Sequence, residues 1–475
     1  MSKFYKKIFL IFFVFISASN LYSQIDLGIS AVKNGDYLRA VNILKPLVNQ
    51  EDSYDGYYYY GLALLNTGSA TTAEEFLNKA LKKDDEGVGA LTALGDLYSK
   101  KKNYDKANSY YKKALKVEPE NVDVLLAKAK NLTIAGKIDD ALPVLALAKS
   151  LKNDDPKVYV GLGDAYYFRK AFRPAEENYK AALKLKQNNP AAHFGLGQIH
   201  FREKDFTEAL DQYNEAIKDN ANYAPAYLEK GRLLYFSDKY PEALTAFESY
   251  SKLQPGSVDG QTYIAKVKYG QKKYDEAQTI LEKVIKDNPK EDISSAYKYL
   301  AYVYNDKEDY DKALEYFSKV PKSLFDTEDY IKLAQIYYNK KDFDNAYKNF
   351  DEAMVSDSTD NTIFYYLGIA QFNQKKYENA IESFDRSIRL GTKQLAAYVY
   401  KGLSFYSLQK YEDALKAFDA ANQVDNAYVA SWLWKARSEV AMDKIDDARI
   451  SYKRVIELDP NNESAKEDME ILDKK

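Results

Sequence analysis

The chain has 475 residues, 46% of them apolar, enough for several ordinary domains or for one long repetitive array. Lys and Arg number 68 against 71 Asp and Glu, so the basic excess or basic stripe of a nucleic-acid binder is missing, and the dense mixed charge reads as a solvated helical surface. Cysteine is absent, which excludes disulfides, thiolate metal sites, iron–sulfur clusters and thiol nucleophiles, while 12 Pro and 20 Gly are too few for a strand-and-turn architecture.

The N-terminus places Lys3, Lys6 and Lys7 before an apolar run from Ile8 to Ile16, followed by Ser17, Ala18 and Ser19. A basic head, a short apolar stretch and small residues are the parts of a secretory signal peptide, and the run is shorter than the ~20 residues that span a bilayer as a helix. Residues 1–23 are therefore expected to be a cleaved leader, with Ser23 favoured over Ser19 as the last residue removed. The mature chain then carries a net charge of −6 and has no second apolar run of spanning length. It is expected to be exported to the periplasm or cell envelope, with secretion beyond it as a further route, and to hold no integral membrane segment.

From residue 24 onward one phrase recurs: an aromatic, Ala three on, an aromatic or Leu four further, then a small residue after three more. It reads Tyr104, Ala107, Tyr111, Ala114, and again Phe172, Ala175, Tyr179, Ala182. The central alanines run from Ala40 to Ala448 at twelve intervals, nine of them 34 residues and the others 33, 33 and 36. Twelve residues before each stands another small residue, such as Gly95, Ala129, Gly163 and Gly197. This period predicts two amphipathic helices per unit, held close by the small residues. Asp105, Asp275, Asp311, Asp344 and Pro241 fall where second helices begin, and Pro119, Pro255, Pro289 and Pro460 where they stop.

With these positions the chain resembles the tetratricopeptide repeat (TPR) family. The resemblance rests on the 34-residue period, a large residue at position four (Tyr57, Tyr159, Tyr227, Tyr297, Tyr330, Tyr398, Trp432), Gly or Ala at eight, Ala at twenty and Pro at thirty-two. It covers residues 21–462, departing at Ala70, His193, Gln261 and in the weak first repeat. The resemblance implies an all-α, right-handed superhelical solenoid of about thirteen helix-turn-helix repeats. Residues 463–475 are expected to add a C-terminal capping helix. The period breaks once: two extra residues lie near Lys290–Ile293, and the next unit is one short, with Pro321 arriving early. The array is accordingly divided into residues 24–289 (repeats 1–8) and 290–462 (repeats 9–13), the break being either a kink or a plain loop insertion.

Sites of chemistry are sparse. His193 and His200 lie seven apart on one helix, ~10 Å along its axis and too far for easy shared metal ligation. Gly161-Leu-Gly163 and Gly195-Leu-Gly197 sit within first helices, as packing glycines and not phosphate loops. No carboxylate pair is expected to be buried, and no cofactor, catalytic residue or metal site is assigned.

The resemblance implies that positions two, five, nine, twelve and thirteen face a concave groove. Position twelve carries Tyr167, Phe201, Tyr235, Tyr269, Asn305, Tyr338, Phe372 and Tyr406, a ladder of rings repeating with the fold. Position nine carries Lys130, Asp164, Arg232 and Lys266, along with Asp96 and Arg437. These rings and charges form the expected partner-binding set, although the rings could equally pack between adjacent first helices. More than half of the 44 tyrosines fall at framework or ladder positions, so their excess reflects repetition. Two functions follow as expectations. One is a non-enzymatic scaffold for protein–protein interaction in a bacterial envelope assembly or secretion complex. The alternative is a glycan- or polymer-handling module stacking sugars on the ladder.

Overall fold

In a computed structural model of the chain, residues 23–48, 50, 52–288, 292–392 and 394–473 are described. The expected leader lies outside these residues, apart from Ser23. Every regular element among the described residues is helical, and the helices form two compact units that divide after Phe236, within the seventh repeat.

The first unit opens with a helix described over residues 23–33 and the short Tyr37–Leu44. Five full pairs follow: Tyr54–Asn66 with Ala70–Lys83, Val88–Lys100 with Tyr104–Val117, Val122–Ile134 with Ile138–Leu151, Pro156–Phe168 with Phe172–Leu185, and Pro190–Arg202 with Phe206–Asp219; Ala224–Phe236 closes the unit. Each first helix from Tyr54–Asn66 to Pro190–Arg202 packs against its own second helix, the second helix before it and one or both neighbouring first helices. It is therefore apolar on several sides. Second helices bury one stripe only: in Tyr104–Val117 it is Ala107, Tyr111 and Ala114, and in Phe172–Leu185 Ala175, Tyr179 and Ala182.

The turn inside each repeat has one geometry. Position fifteen takes positive φ in all thirteen repeats, at Gly35, Gly68 and Gly136 but otherwise at non-glycine residues such as Lys102, Lys170 and Lys204. A left-handed residue there lets the next amide reach back to the fifth carbonyl before it, as Asn103 N does to Tyr98 O at 2.9 Å, closing the first helix. Where that next residue is Asn or Asp it also caps the second helix: Asn103 Oδ1 accepts from Lys106 N at 3.2 Å, and Asp205 Oδ1 from Glu208 N at 3.2 Å. One residue there ends one helix and starts another.

The second unit runs from Tyr240–Leu253 through Val258–Gly270 with Tyr274–Asp287, Ser294–Asp306 with Tyr310–Ser318, Thr327–Asn339 with Phe343–Ser356, Asn361–Asn373 with Tyr377–Arg389, Leu395–Ser407 with Tyr411–Val424, and Val429–Ala441 with Ile445–Leu458. The expected capping helix is Glu463–Asp473, and it buries Ala465 and Leu472 against the last pair. The period break lies inside this unit. Tyr310–Ser318 has 9 residues where its counterparts have 13 or 14, because Pro321 cannot donate to a helical ladder. A 3-10 turn, Lys322–Leu324, and an N-capping pair, Asp326 and Asp329, restart the chain. Asp329 is fully buried, a carboxylate the sequence did not mark for burial. Its oxygens accept from Lys298 Nζ at 2.6 Å, from Tyr302 Oη at 2.7 Å and from Asp326 N at 2.8 Å.

The space between successive repeats is filled in two ways. In the first, Tyr179 is pinched between two glycines: a Cβ on Gly163 would lie 2.5 Å from its ring and one on Gly195 2.3 Å. In the second, the equivalent ring stacks on an aromatic of the next first helix, as Phe247 on Tyr263 (4.8 Å), Phe350 on Tyr366 (5.6 Å) and Phe384 on Tyr400 (6.1 Å).

Candidate functional site: the first-helix face

The ladder rings are all half-buried. Six of them pack on the aromatic that opens their own second helix, 5.4–5.8 Å between centroids: Tyr167 on Phe172, Phe201 on Phe206, Tyr269 on Tyr274, Tyr338 on Phe343, Phe372 on Tyr377 and Tyr406 on Tyr411. Three also meet an aromatic of the following first helix at near right angles: Tyr269 on Tyr299 (5.8 Å), Phe372 on Tyr400 (5.2 Å) and Tyr406 on Trp434 (5.1 Å). Tyr235 meets its neighbour Phe236 at 5.8 Å, while Asn305 takes the ladder position of its repeat and donates to Asp306. The rings are joints between helices with one rim left to solvent.

Several ring surfaces are already occupied. The Arg202 guanidinium lies 5.4 Å from the Tyr167 centroid, and its Nε donates to Tyr167 Oη at 2.8 Å. Tyr269 donates its hydroxyl to Asp306 at 2.8 Å, and burial followed by that carboxylate pushes its phenol well above the usual range.

Position nine shows a pattern that residue type alone did not reveal. Asp96 accepts a hydrogen bond from Tyr111 Oη at 2.7 Å, and Asp164 from Tyr179 Oη at 2.7 Å, each tyrosine being a buried ring of the second helix in the same repeat. Burial raises both carboxyls, Asp164 to about 6, against the pull of the tyrosine bond and of Lys130. Lys130 itself is exposed. Elsewhere position nine is engaged differently. Arg232 pairs with Glu229 at 2.9 Å, Lys266 sits over Tyr263 and Tyr299 at 4.5 and 4.6 Å, and Arg437 Nε meets Asp468 of the capping helix at 2.8 Å. The tyrosine–aspartate bonds were missed because they need the register between two helices. The coincidence of Asp at nine with Tyr at twenty-four in repeats three and five was the available signal.

His193 Nδ1 lies 2.8 Å from Gln212 Oε1 and His200 beside Glu203 at 3.9 Å, both half-buried in packing roles. Among the described residues no group of three or more metal-ligating side chains is assembled, and no helix is long and apolar enough to cross a membrane.

Comparison with known proteins gives matches to models of the tetratricopeptide repeat at residues 25–88, 98–162, 160–225, 363–390 and 400–463, and to a tetratricopeptide repeat-like domain at 258–367. Among curated relatives, anaphase-promoting complex subunit 3 of Schizosaccharomyces pombe is 27% identical over 24% of this chain and 17% of its own length. A TPR repeat-containing protein of Methanocaldococcus jannaschii is 23% identical over 36% of this chain and 37% of its own, and photosystem I assembly protein Ycf3 of Cyanophora paradoxa 30% identical over 20% and 65%. The chain thus spans less than two thirds of the length of each. Among solved structures, the APC/C hetero-tetramer Cut9–Hcn1 is similar with a TM-score of 0.49 at 15% identity, covering 94% of this chain and 89% of that one. PilF of Pseudomonas aeruginosa gives 0.34 at 24% identity, covering 45% and 97%. With these repeat models falling on the helix pairs described above, the chain belongs to the tetratricopeptide repeat family.

Proposed function

We propose that the chain is a non-enzymatic scaffold that binds extended segments of protein partners along its first-helix face and works in the bacterial cell envelope. The observation that carries this reading is the recurrence of half-buried rings and charges at one register of successive first helices. An extended segment crossing that face meets comparable contacts at each repeat, whereas a small ligand would use only one or two. The envelope location is supported by the basic, apolar and small segments of residues 1–23. A glycan groove is the weaker reading, because sugar stacking needs free ring faces and Tyr167 already carries Arg202.

The test is crosslinking in intact cells followed by affinity capture of the tagged chain, with N-terminal sequencing of the captured protein. The scaffold reading expects specific proteins to be enriched, and the location expects a mature chain beginning at Gln24 in the periplasmic or envelope fraction. Capture of polysaccharide without protein would sink the first expectation, and an intact Met1 in the cytoplasmic fraction the second.

A further inference from the structure

Within the first unit, three successive first helices present charges of alternating sign at one register: Asp96 on Val88–Lys100, Lys130 on Val122–Ile134 and Asp164 on Pro156–Phe168. These helices pack side by side, and Lys130 acts electrostatically on both carboxylates, so the three charges share a face. Among the described residues Lys130 forms no ion pair within 4 Å with either aspartate, whose hydrogen-bond partners are Tyr111 and Tyr179.

Both carboxylates are built into place. Tyr111 and Tyr179, buried at 1% and 0% exposure, each donate one hydroxyl to one oxygen, which fixes the aspartate while leaving acceptor capacity on the carboxylate. Tyr58 lies over Gly89, seven residues and two turns before Asp96 on the same helix face. A half-desolvated carboxylate with acceptor capacity to spare is a receptor for an ammonium or guanidinium group.

We propose that this row reads an extended polypeptide segment bearing two basic side chains with an acidic one midway, Asp96 and Asp164 receiving the cations and Lys130 the carboxylate. The assignment rests on the scaffold reading and names the chemistry of the segment it holds. Packed helices lie ~8–10 Å apart, and an extended chain in the polyproline-II conformation advances ~3.1 Å per residue with about three residues per turn, so side chains three residues apart share one face at that spacing. The recognised pattern is basic, two residues, acidic, two residues, basic.

The probe is a fluorescein-labelled peptide containing Lys-Gly-Ser-Glu-Gly-Ser-Lys, titrated with the full chain at low ionic strength and compared with its charge-reversed form Glu-Gly-Ser-Lys-Gly-Ser-Glu. The first should bind about tenfold more tightly than the second. The double variant D96N/D164N keeps an acceptor for each tyrosine hydroxyl but removes both charges, and should lose about tenfold in affinity for the first peptide while melting no lower than the parent at neutral pH. K130E should weaken the same peptide. Equal affinity for the two peptides, no binding of either, or undiminished binding by D96N/D164N overturns the proposal. If cellular capture enriches a protein equally with the parent and with D96N/D164N, the scaffold reading stands and this assignment alone falls.

Discussion

Gly163→Ala tests the packing that shapes the first unit. The added Cβ would lie 2.5, 2.6 and 2.9 Å from three atoms of the Tyr179 ring, about 1 Å inside ordinary carbon contact. The ring cannot retreat, because a Cβ position at Gly195 already lies 2.3 Å from its other side and Tyr179 is wholly buried. Overpacking of this kind costs about 1–3 kcal/mol, offset by about 1 kcal/mol from replacing glycine inside a helix. With the ring blocked on both sides the upper part of that range applies, ~2–3 kcal/mol, which leaves a net loss of about 1–2 kcal/mol. The fourth repeat supplies the comparison: there position eight is Ala129 and the facing residue is Leu145, so adding Tyr179→Leu should relieve the clash. A double-mutant cycle in urea should therefore show a favourable coupling of about 1 kcal/mol between G163A and Y179L. Repeat arrays can unfold in parts, so hydrogen exchange within Phe172–Leu185 should localise the effect. A G163A variant as stable as the parent, or a cycle with no coupling, would refute the pinched-ring account.

Other outcomes follow from the buried charges and the end of the array. Asp164 has a carboxyl pushed up to about 6 in the fold, against 3.8 as its ordinary value, so the native chain binds the extra proton between those pH values. Its stability contribution is present below about pH 4 and lost as pH rises through about 6, by at most about 3 kcal/mol. The stability of D164N relative to the parent should rise over that window, and a flat difference from about pH 4 to about 7.5 would contradict it. Asp329→Ala leaves Lys298, which is largely buried, without its closest partner and should cost about 3 kcal/mol, much of it recovered by adding Lys298→Met; thermal melts read both. Deleting residues 463–475 removes Asp468 from Arg437 and should speed amide exchange in Val429–Ala441 while leaving Leu395–Ser407 protected.

The fold was legible because its signal is repeated. A small residue at position twenty means little once, but from Ala40 to Ala448 it fixes where thirteen second helices begin. Less legible were features that depend on pairs of helices. Gly35, Gly68 and Gly136 announce a left-handed turn residue, yet Lys102, Lys170 and Lys204 adopt the same conformation with no local signal, because the closing hydrogen bonds impose it. The ladder was readable as a row, and in the fold its rings join helices and keep a rim exposed. Asp164 was expected to face a groove, but nothing local indicated that Tyr179 would grip it from the neighbouring helix. Asp329 escaped notice because its partners, Lys298 and Tyr302, belong to the preceding repeat.

The pinched and stacked rings carry a historical consequence. Arrays of this sort grow and shrink by duplication and unequal crossover, which treats repeats as interchangeable words. Here they are not: Tyr179 requires a glycine on the helix that follows, and removal of the sixth repeat would bring Glu229 to the place now held by Gly195. Such a deletion would keep the reading frame and the period yet drive a charged side chain into the ring. Each joint therefore acts as a grammatical rule on the order of repeats, and drift in copy number is penalised wherever neighbouring words fail to agree.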